Sequence, residues 1–266
     1  MTAAGKVTVL HSFDPAAGDG SGPVAGLAQA TDGNFYGVTG QGGGTSNAGV
    51  IFRISAAGAY SVLYSFDGTT AGQPEVGLLQ HTNGILYGLS NGGGTYNIGT
   101  FYSLNVGLKP FVSLVTTSGV VGAEVEILGQ GFAGTKSVHF GGVAASHTVV
   151  SDTYLTTIVP SGAKTGVVTV TTPGGTLKSN KKFRISPQFS SFNPASGPVA
   201  SPVVIGGVSL AQTTKVTFGG VKATSFTVNS DLQVTANVPT GAKTGVIVVT
   251  TAGGTATSSG VFTVTP

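Results

Sequence analysis

The chain has 266 residues, 44 of them glycine, and only 8% of its residues are charged, with a net charge of +3. The length allows two or three domains, and the sparse charge argues against a nucleic-acid partner, which needs many cations along one face. The absence of cysteine excludes disulfides, thiolate zinc sites and thiol nucleophiles.

Glycine, threonine and valine recur throughout, whereas the strongest helix-forming residues are few. This composition predicts strands joined by tight turns, with almost no helix. No apolar run approaches the ~20 residues of a membrane helix, so we expect no membrane insertion. Met1 is followed by TAAGKVTVLHSF, which lacks the charged start and apolar run of a signal peptide. If the parent protein is exported, we expect this chain to be a segment of it.

The first hundred residues contain two copies of one pattern. The stretch at 9–54, which begins VLHSFD, aligns with the stretch at 62–104, which begins VLYSFD. The spacing of 50 to 51 residues is that of a four-stranded propeller blade. In the first copy we predict strands at 7–13, 26–30, 34–38 and 49–55, and the second copy repeats that order.

The motifs LYSF, LYG and GGG, with a following Asn and Gly, resemble the Gloeobacter and Verrucomicrobia type repeat, a bacterial family, over residues 7–105. The resemblance implies a propeller-like arrangement in an exported protein, and hence an extracellular or cell-surface location. A closed propeller typically takes about 4 to 8 blades, so two blades leave both flanks open. We expect either self-association through residues 1–108, as a trimer or tetramer, or a different packing of the sheets.

From Lys109 the chain changes to alternating threonine and valine and contains a longer duplication. FGGVAAS at 140–146 returns as FGGVKAT at 218–224, a period of 78 residues, which is the size of a small β-sandwich. In TGVVTVTT the alternation places Val168 and Val170 on the same strand face. Only one face of such a strand belongs to the core.

The motifs SGVVGAEVEILGQGF, FGG, IVP and TGVVTVTTPGG resemble the TIG domain, an immunoglobulin-like fold, and the later copy fits the same pattern. One departure is VIGGVSL at 204–210, where the first copy has EILGQGF, and it leaves the shape of that turn open. The predicted fold is all-β, with two propeller-type blades followed by two tandem immunoglobulin-like TIG sandwiches. The predicted domains are residues 1–108 (blades 1–57 and 58–108), 109–186 and 187–266.

Catalytic and metal-binding patterns are scarce. Asp14, Asp19 and Asp32 lie in glycine-rich loops and are calcium candidates, but their spacing matches no EF-hand, and aspartate beside glycine commonly supports a turn. Glu124 and Glu126 share a strand face and could in principle form an acid–base pair. A solvated strand face is the preferred interpretation, because glutamate is mostly exposed. The four histidines are scattered and no GxSxG motif occurs. We therefore predict neither an enzyme nor a bound metal or cofactor.

Aromatic residues concentrate in the repeat region and give the best ligand signal. Tyr36, Tyr87 and Tyr96 could stack on a sugar, although the first two occupy equivalent repeat positions, which favours core packing between blades. The preferred hypothesis is a non-catalytic structural or adhesion module of a bacterial surface protein, self-associating through its blades. The alternative is a glycan-binding module that uses these tyrosines to hold a carbohydrate partner.

Overall fold

The computed structural model describes residues 5–266, so the first four positions of the predicted first blade lie outside the described residues. The chain divides into two compact units, Met1–Pro110 and Phe111–Pro266. Across residues 5–266 the only helix is a 3-10 turn at Pro15–Ala17, so the predicted all-β class is confirmed. The domain boundaries at 108 and 186 stay predictions.

The described part of the first unit, residues 5–110, contains nine short strands. They are β1 (Gly20–Ser21), β2 (Ala28–Gln29), β3 (Phe35–Thr39), β4 (Gln41–Gly42), β5 (Val50–Ile54), β6 (Tyr60–Ser65), β7 (Leu79–Gln80), β8 (Leu86–Ser90) and β9 (Thr100–Leu104). The first blade is a four-stranded sheet in the order β2-β3-β5-β6, and the second is a three-stranded sheet in the order β7-β8-β9. The second blade therefore ends at β9, which pairs with no further strand among the described residues.

The prediction of a strand at 7–13 is wrong for this structure, because these residues join no sheet. Their counterpart one repeat later, β6, supplies the fourth strand of the first blade by pairing with β5. In the second blade no such strand follows β9, since the chain continues from Phe111 into the first sandwich. The first blade thus draws its fourth strand from the start of the second repeat.

The two blades bury a common core. Alternation along β3 and β5 turns Tyr36, Val38 and Ile51 to one face, where they join Leu78 and Leu86 of the second blade in one buried cluster. The burial of such side chains stabilises the pair of blades by about 1.5–3 kcal/mol for each fully buried large residue.

The second unit contains two sandwiches with the same topology. The strands of the first are β10 (Ser113–Leu114), β11 (Ser118–Gly119), β12 (Glu124–Leu128), β13 (Ser137–Phe140), β14 (Val143–Ala145), β15 (His147–Ser151), β16 (Tyr154–Ile158), β17 (Gly166–Thr172) and β18 (Gly175–Ile185). The strands of the second are β19 (Gln188–Asn193), β20 (Ser196–Gly197), β21 (Pro202–Val208), β22 (Thr213–Phe218), β23 (Val221–Lys222), β24 (Phe226–Ser230), β25 (Gln233–Asn237), β26 (Gly245–Thr251) and β27 (Gly254–Val264).

Each sandwich has a four-stranded and a five-stranded sheet. The orders are β10-β12-β16-β15 with β11-β18-β17-β13-β14 in the first, and β19-β21-β25-β24 with β20-β27-β26-β22-β23 in the second. Val168 and Val170 are fully buried in the first core, as the alternation predicts, and Ile247 and Val249 take their places in the second. The predicted succession of two blades and two immunoglobulin-like sandwiches is confirmed.

The turn whose sequence differs between the sandwiches has the same shape in both. Ser209 has φ +61° where the first sandwich has Gly131 at +72°, and Leu210 fills the buried place of Phe132. The difference in sequence is therefore accommodated by backbone strain at Ser209 and not by a different turn.

Candidate functional site

The three tyrosines predicted to hold a ligand do not form one surface. Tyr36 is only 2% exposed, and its hydroxyl donates to Asp32 Oδ2 at 2.8 Å. Tyr87 is half-buried and stacks on Phe101 with 5.5 Å between the ring centroids, whereas Tyr96 is 82% exposed. Sugar stacking does not fit Tyr36, because its ring faces are covered by the core between the blades.

The contact between Tyr36 and Asp32 is structural. Burial, with the hydrogen bond to Asp32, raises the pKa of Tyr36 to about 12. Burial alone would raise the pKa of Asp32, but the hydrogen bonds from Asn34 and Tyr36 outweigh it and hold that pKa below its usual range. At neutral pH a neutral phenol thus donates to a carboxylate, and neither group is poised for proton transfer.

The three aspartates predicted as calcium candidates serve local hydrogen bonds. Asp14 Oδ1 accepts from Ala16 N at 2.9 Å and caps the 3-10 turn. Asp19 Oδ2 lies 2.9 Å from His11 Nε2, and Asp32 is engaged as described above. Within residues 5–266, no three histidine or acidic side chains form a group that could hold a metal ion.

A polar pocket of about 280 Å³ lies where the glycine-rich loops of the two blades meet. We call it the amide pocket. Its floor includes the buried residues Ala48 and Gly72, and its rim carries exposed side-chain amides. The lining residues, which come from both repeats, are Ser46, Asn47, Ala48, Gly68, Gly72, Gln73, Asn91, Gly92 and Asn97.

Main-chain hydrogen bonds within the second repeat, with one bond from the second repeat to the first, fix the shape of the amide pocket. Gly72 and Gly92 exchange two bonds, of 3.1 and 3.0 Å. Gln73 N donates to Ala48 O at 2.7 Å, and Asn91 N donates to Gln73 O at 3.1 Å. Because the loops are held together by backbone groups, the side chains of Gln73 and Asn91 are not consumed in building the walls.

Three of the residues that carry the rim amides have a left-handed backbone conformation. The φ angles are +46° at Asn47, +53° at Gln73 and +52° at Asn97. The two asparagines stabilise this conformation, since their Oδ1 atoms accept from Gly42 N at 2.8 Å and from Gly93 N at 3.0 Å. Glutamine rarely adopts it, and strained non-glycine residues cluster at binding sites and switch regions.

The chemistry of the amide pocket suits binding and not catalysis. No side chain in its lining titrates near neutral pH, so it offers no general acid or base, and the hydroxyl of Ser46 has no base in the lining to activate it. A carboxamide both donates and accepts hydrogen bonds, as a sugar hydroxyl does. The exposed ring of Tyr96 lies beside this rim in sequence, immediately before Asn97.

The sequence analysis missed the amide pocket, because it considered aromatic and acidic side chains as ligand contacts and not the amides of the glycine-rich loops. The available signal was the pairing of Asn47 with Asn97 at equivalent repeat positions. Gln73 gave no signal, since its left-handed backbone is visible only in the structure.

Family models match two parts of the chain. The model of the Gloeobacter/Verrucomicrobia repeat matches residues 1–149, and that of the IPT/TIG domain matches residues 187–264. The TIG match thus covers the second sandwich alone, while the repeat match extends past residue 108 into the first. No curated protein matches the chain, and no helix among the described residues is long and apolar enough to cross a membrane.

Several solved surface glycan-binding proteins resemble parts of the chain. PbSGBP-B from Prevotella bryantii is 16% identical, with a TM-score of 0.42 over 57% of this chain and 41% of that chain. SGBP-B of a xyloglucan utilization locus in Bacteroides uniformis is 20% identical (TM-score 0.28, 57% and 48%). SGBP-B of a mixed-linkage glucan locus in Bacteroides ovatus is 16% identical (TM-score 0.26, 68% and 52%). The match spans less than two thirds of each, and at these TM-scores none carries an argument about function.

Proposed function

This chain belongs to the Gloeobacter/Verrucomicrobia repeat family, and from that premise we propose that it is a non-catalytic carbohydrate-binding module at a bacterial cell surface. The amide pocket carries the proposal. Neutral amides from two repeats converge on one depression, and no titratable side chain lines it. The sequence analysis preferred a structural or adhesion module and gave carbohydrate binding as the alternative; here carbohydrate binding is the preferred function.

The lining favours an uncharged ligand of small size. The pocket holds about 280 Å³, which lies just below the ~300–1,000 Å³ of typical ligand sites. A chain end or a single sugar unit fits this space better than the middle of a long polysaccharide. Of the three tyrosines, Tyr96 is the one we assign to ligand contact, with its exposed ring stacking on the apolar face of the sugar.

The test is a calorimetric titration of the purified chain with neutral oligosaccharides chosen from a glycan array. Asn91→Ala and Tyr96→Ala remove one pocket amide and the exposed ring. We expect each substitution to raise the dissociation constant by about three- to tenfold, which corresponds to the loss of one hydrogen bond or stacking contact. Asn180→Ala removes an exposed amide from β18 and is the matched control, with an unchanged constant.

The proposal fails if no neutral glycan binds at millimolar concentration. It also fails if binding survives both pocket substitutions, because the ligand then lies elsewhere. Turnover of any glycan by the pure chain would contradict the non-catalytic part.

A second candidate function, a structural or adhesion role through self-association of the blades, is favoured by a different observation. The open face of the second blade, formed by Tyr87, Leu89 and Phe101, is largely apolar, and Leu89 and Phe101 are exposed while Tyr87 is half-buried. Two sandwiches of one topology would then act as a spacer, and we assign the first of them to the TIG type because it repeats the strand order of the second.

A further inference from the structure

We propose that residues 7–13 of one chain add to the β9 edge of a second copy as the missing fourth strand of its second blade. In the same contact, the open face of that blade packs on the flank of the first blade of the first chain. This inference goes beyond carbohydrate binding, and it rests on the assembly role given above as the second candidate function. Its basis is the internal repeat: for each surface of the proposed contact, the equivalent surface in the other repeat is already buried within the chain.

The open face of the second blade is the counterpart of a buried one. In the first blade Val38 and Ile51 are cross-strand partners, each 1% exposed beneath the second blade. Their repeat equivalents, Leu89 and Phe101, are also cross-strand partners. These are 48% and 72% exposed. The same position is apolar in both repeats but is covered in only one.

The opposite flank of the first blade carries an apolar depression that matches the open face, and we call this depression the socket. In the second blade the residues that receive the first are Leu78, Leu86, Tyr102 and Leu104, all part of the common core. The repeat equivalents of these four, which are Leu27, Phe35, Phe52 and Ile54, line an apolar pocket of about 430 Å³. A face and its socket are therefore both present, at opposite ends of the same pair of blades.

Residues 7–13 already occupy one end of that socket. The ring of Phe13 meets Phe52 edge-on with 5.4 Å between centroids, just as its equivalent, Phe66, meets Tyr102 at 5.2 Å. Phe66 directly follows β6, the fourth strand of the first blade. By this equivalence residues 7–12 correspond to the fourth strand of a preceding blade, and among the described residues they pair with no sheet.

The segment is suited to pairing with another chain. His11 holds it by stacking on Tyr60 at 3.8 Å between centroids, while Val7 and Val9 are largely exposed. Exposed valines in an extended segment without a ladder are the pattern of a strand that lacks its sheet. The three-stranded second blade of another copy supplies that sheet, because its β9 edge offers an unfilled row of backbone groups.

The register follows from the first blade. There Arg53 on β5 faces Ser61 on β6, and their equivalents are Ser103 on β9 and Thr8. Thr8 of one chain should therefore face Ser103 of the next, both being exposed side chains. Since each chain carries one socket and one open face, the contact is head-to-tail and closes into a ring of two to four chains if ~4–8 blades are needed.

The first test is the mass of the full chain by light scattering over a concentration series. The wild type should form a closed oligomer. Phe101→Ser should weaken association at least about tenfold, since it removes the burial of a phenylalanine. Among the described residues of the chain, the only ring contact it removes is the stacking on Tyr87. Leu232→Ser changes an exposed apolar residue of the second sandwich and should leave the mass unchanged.

The second test uses the absence of cysteine in the chain. Thr8→Cys with Ser103→Cys should give inter-chain disulfides on mild oxidation, because facing residues of paired strands lie within bridging distance. Ser12→Cys with Ser103→Cys is the control, displaced along the strand by about 10 Å, and should cross-link far less.

A wild-type chain that stays monomeric at every concentration overturns both the assembly role and this inference. An oligomer that ignores Phe101→Ser and cross-links no better in register than out of register leaves the assembly role standing and overturns the inference alone. A disulfide formed within one chain also overturns it, because the occupant of the edge is then not a second copy. Glycan titration of the same variants separates these outcomes from any failure of the amide pocket.

Discussion

Ser209→Gly should make the second sandwich more stable, although it removes a side chain. Ser209 has a left-handed φ of +61°, and its buried hydroxyl has no hydrogen-bond partner among the described residues. The first sandwich carries Gly131 at this position with nearly the same φ. The substitution therefore copies a solution that the chain already contains.

The expected gain can be worked out from three opposing effects. The left-handed conformation costs a residue with a Cβ about 1–2 kcal/mol, and a buried unpaired hydroxyl costs about 1–3 kcal/mol. Glycine returns about 0.4–1 kcal/mol of conformational entropy to the unfolded chain. The net stabilisation is at least about 1 kcal/mol, which raises the Tm of a unit of this size by about 2–4 °C for each kcal/mol.

Scanning calorimetry of the full chain measures this change in the melting transition of the sandwiches. Gly131→Ser in the first sandwich is the mirror control, and it should lower the Tm by a smaller amount, because the added side chain meets open space and only the cost of the left-handed backbone applies. An unchanged or lowered Tm for Ser209→Gly would refute the argument, because it would mean that the hydroxyl or the strained backbone stabilises the turn.

Two further predictions concern hydrogen bonds within each unit. Ser258→Ala should destabilise the second sandwich by about 1–3 kcal/mol, measured by urea unfolding, because Ser258 Oγ accepts from the buried Ile247 N at 3.0 Å. Ser179→Ala, which removes the equivalent bond to Val168 N at 3.0 Å, should destabilise the first sandwich by a similar amount, and a neutral result would contradict the serine hydroxyl as a stabilising hydrogen-bond acceptor. Hydrogen bonds from Thr70 and Thr69 lower the pKa of Asp67 to about 2, so its stabilisation is complete above the unfolded pKa of ~3.9 and is lost as the pH falls towards 2. The Tm difference between wild type and Asp67→Asn should accordingly shrink between pH 5 and pH 2, and a constant difference would exclude this carboxylate as the source.

The sequence predicted those parts of the fold that depend on local alternation and on repeats. Val168 and Val170 are buried because a period of two puts them on the same strand face, and the two duplications predicted two blades and two sandwiches. The prediction of a strand at 7–13 was wrong because the sequence has the pattern of a strand, but the segment pairs with no sheet among the described residues. Local pattern specifies a strand, but the ladder that completes it is a property of the whole assembly.

The candidate site was harder to predict because its residues differ in kind from the expected ones. Aromatic rings were the signal sought, and Tyr36 proved to be core since cross-blade packing covers it. The amide pocket depends instead on left-handed backbone at Gln73 and on main-chain bonds between loops. Neither has a sequence signature beyond the recurrence of Asn47 and Asn97.

A tandem repeat allows one copy to serve as the control for the other. If the apolar character of Leu89 and Phe101 were incidental, the chain would be expected to carry polar residues there, as it does at most of its exposed strand positions. Instead the two positions keep the hydrophobicity of Val38 and Ile51, which are buried. An exposed apolar face of this kind promotes association, and a sheet with an open edge does so as well. The open apolar face and the open β9 edge both lie on the second blade. The first blade carries the socket that matches the face, and residues 7–13 precede it. One contact between two chains would cover all of these surfaces.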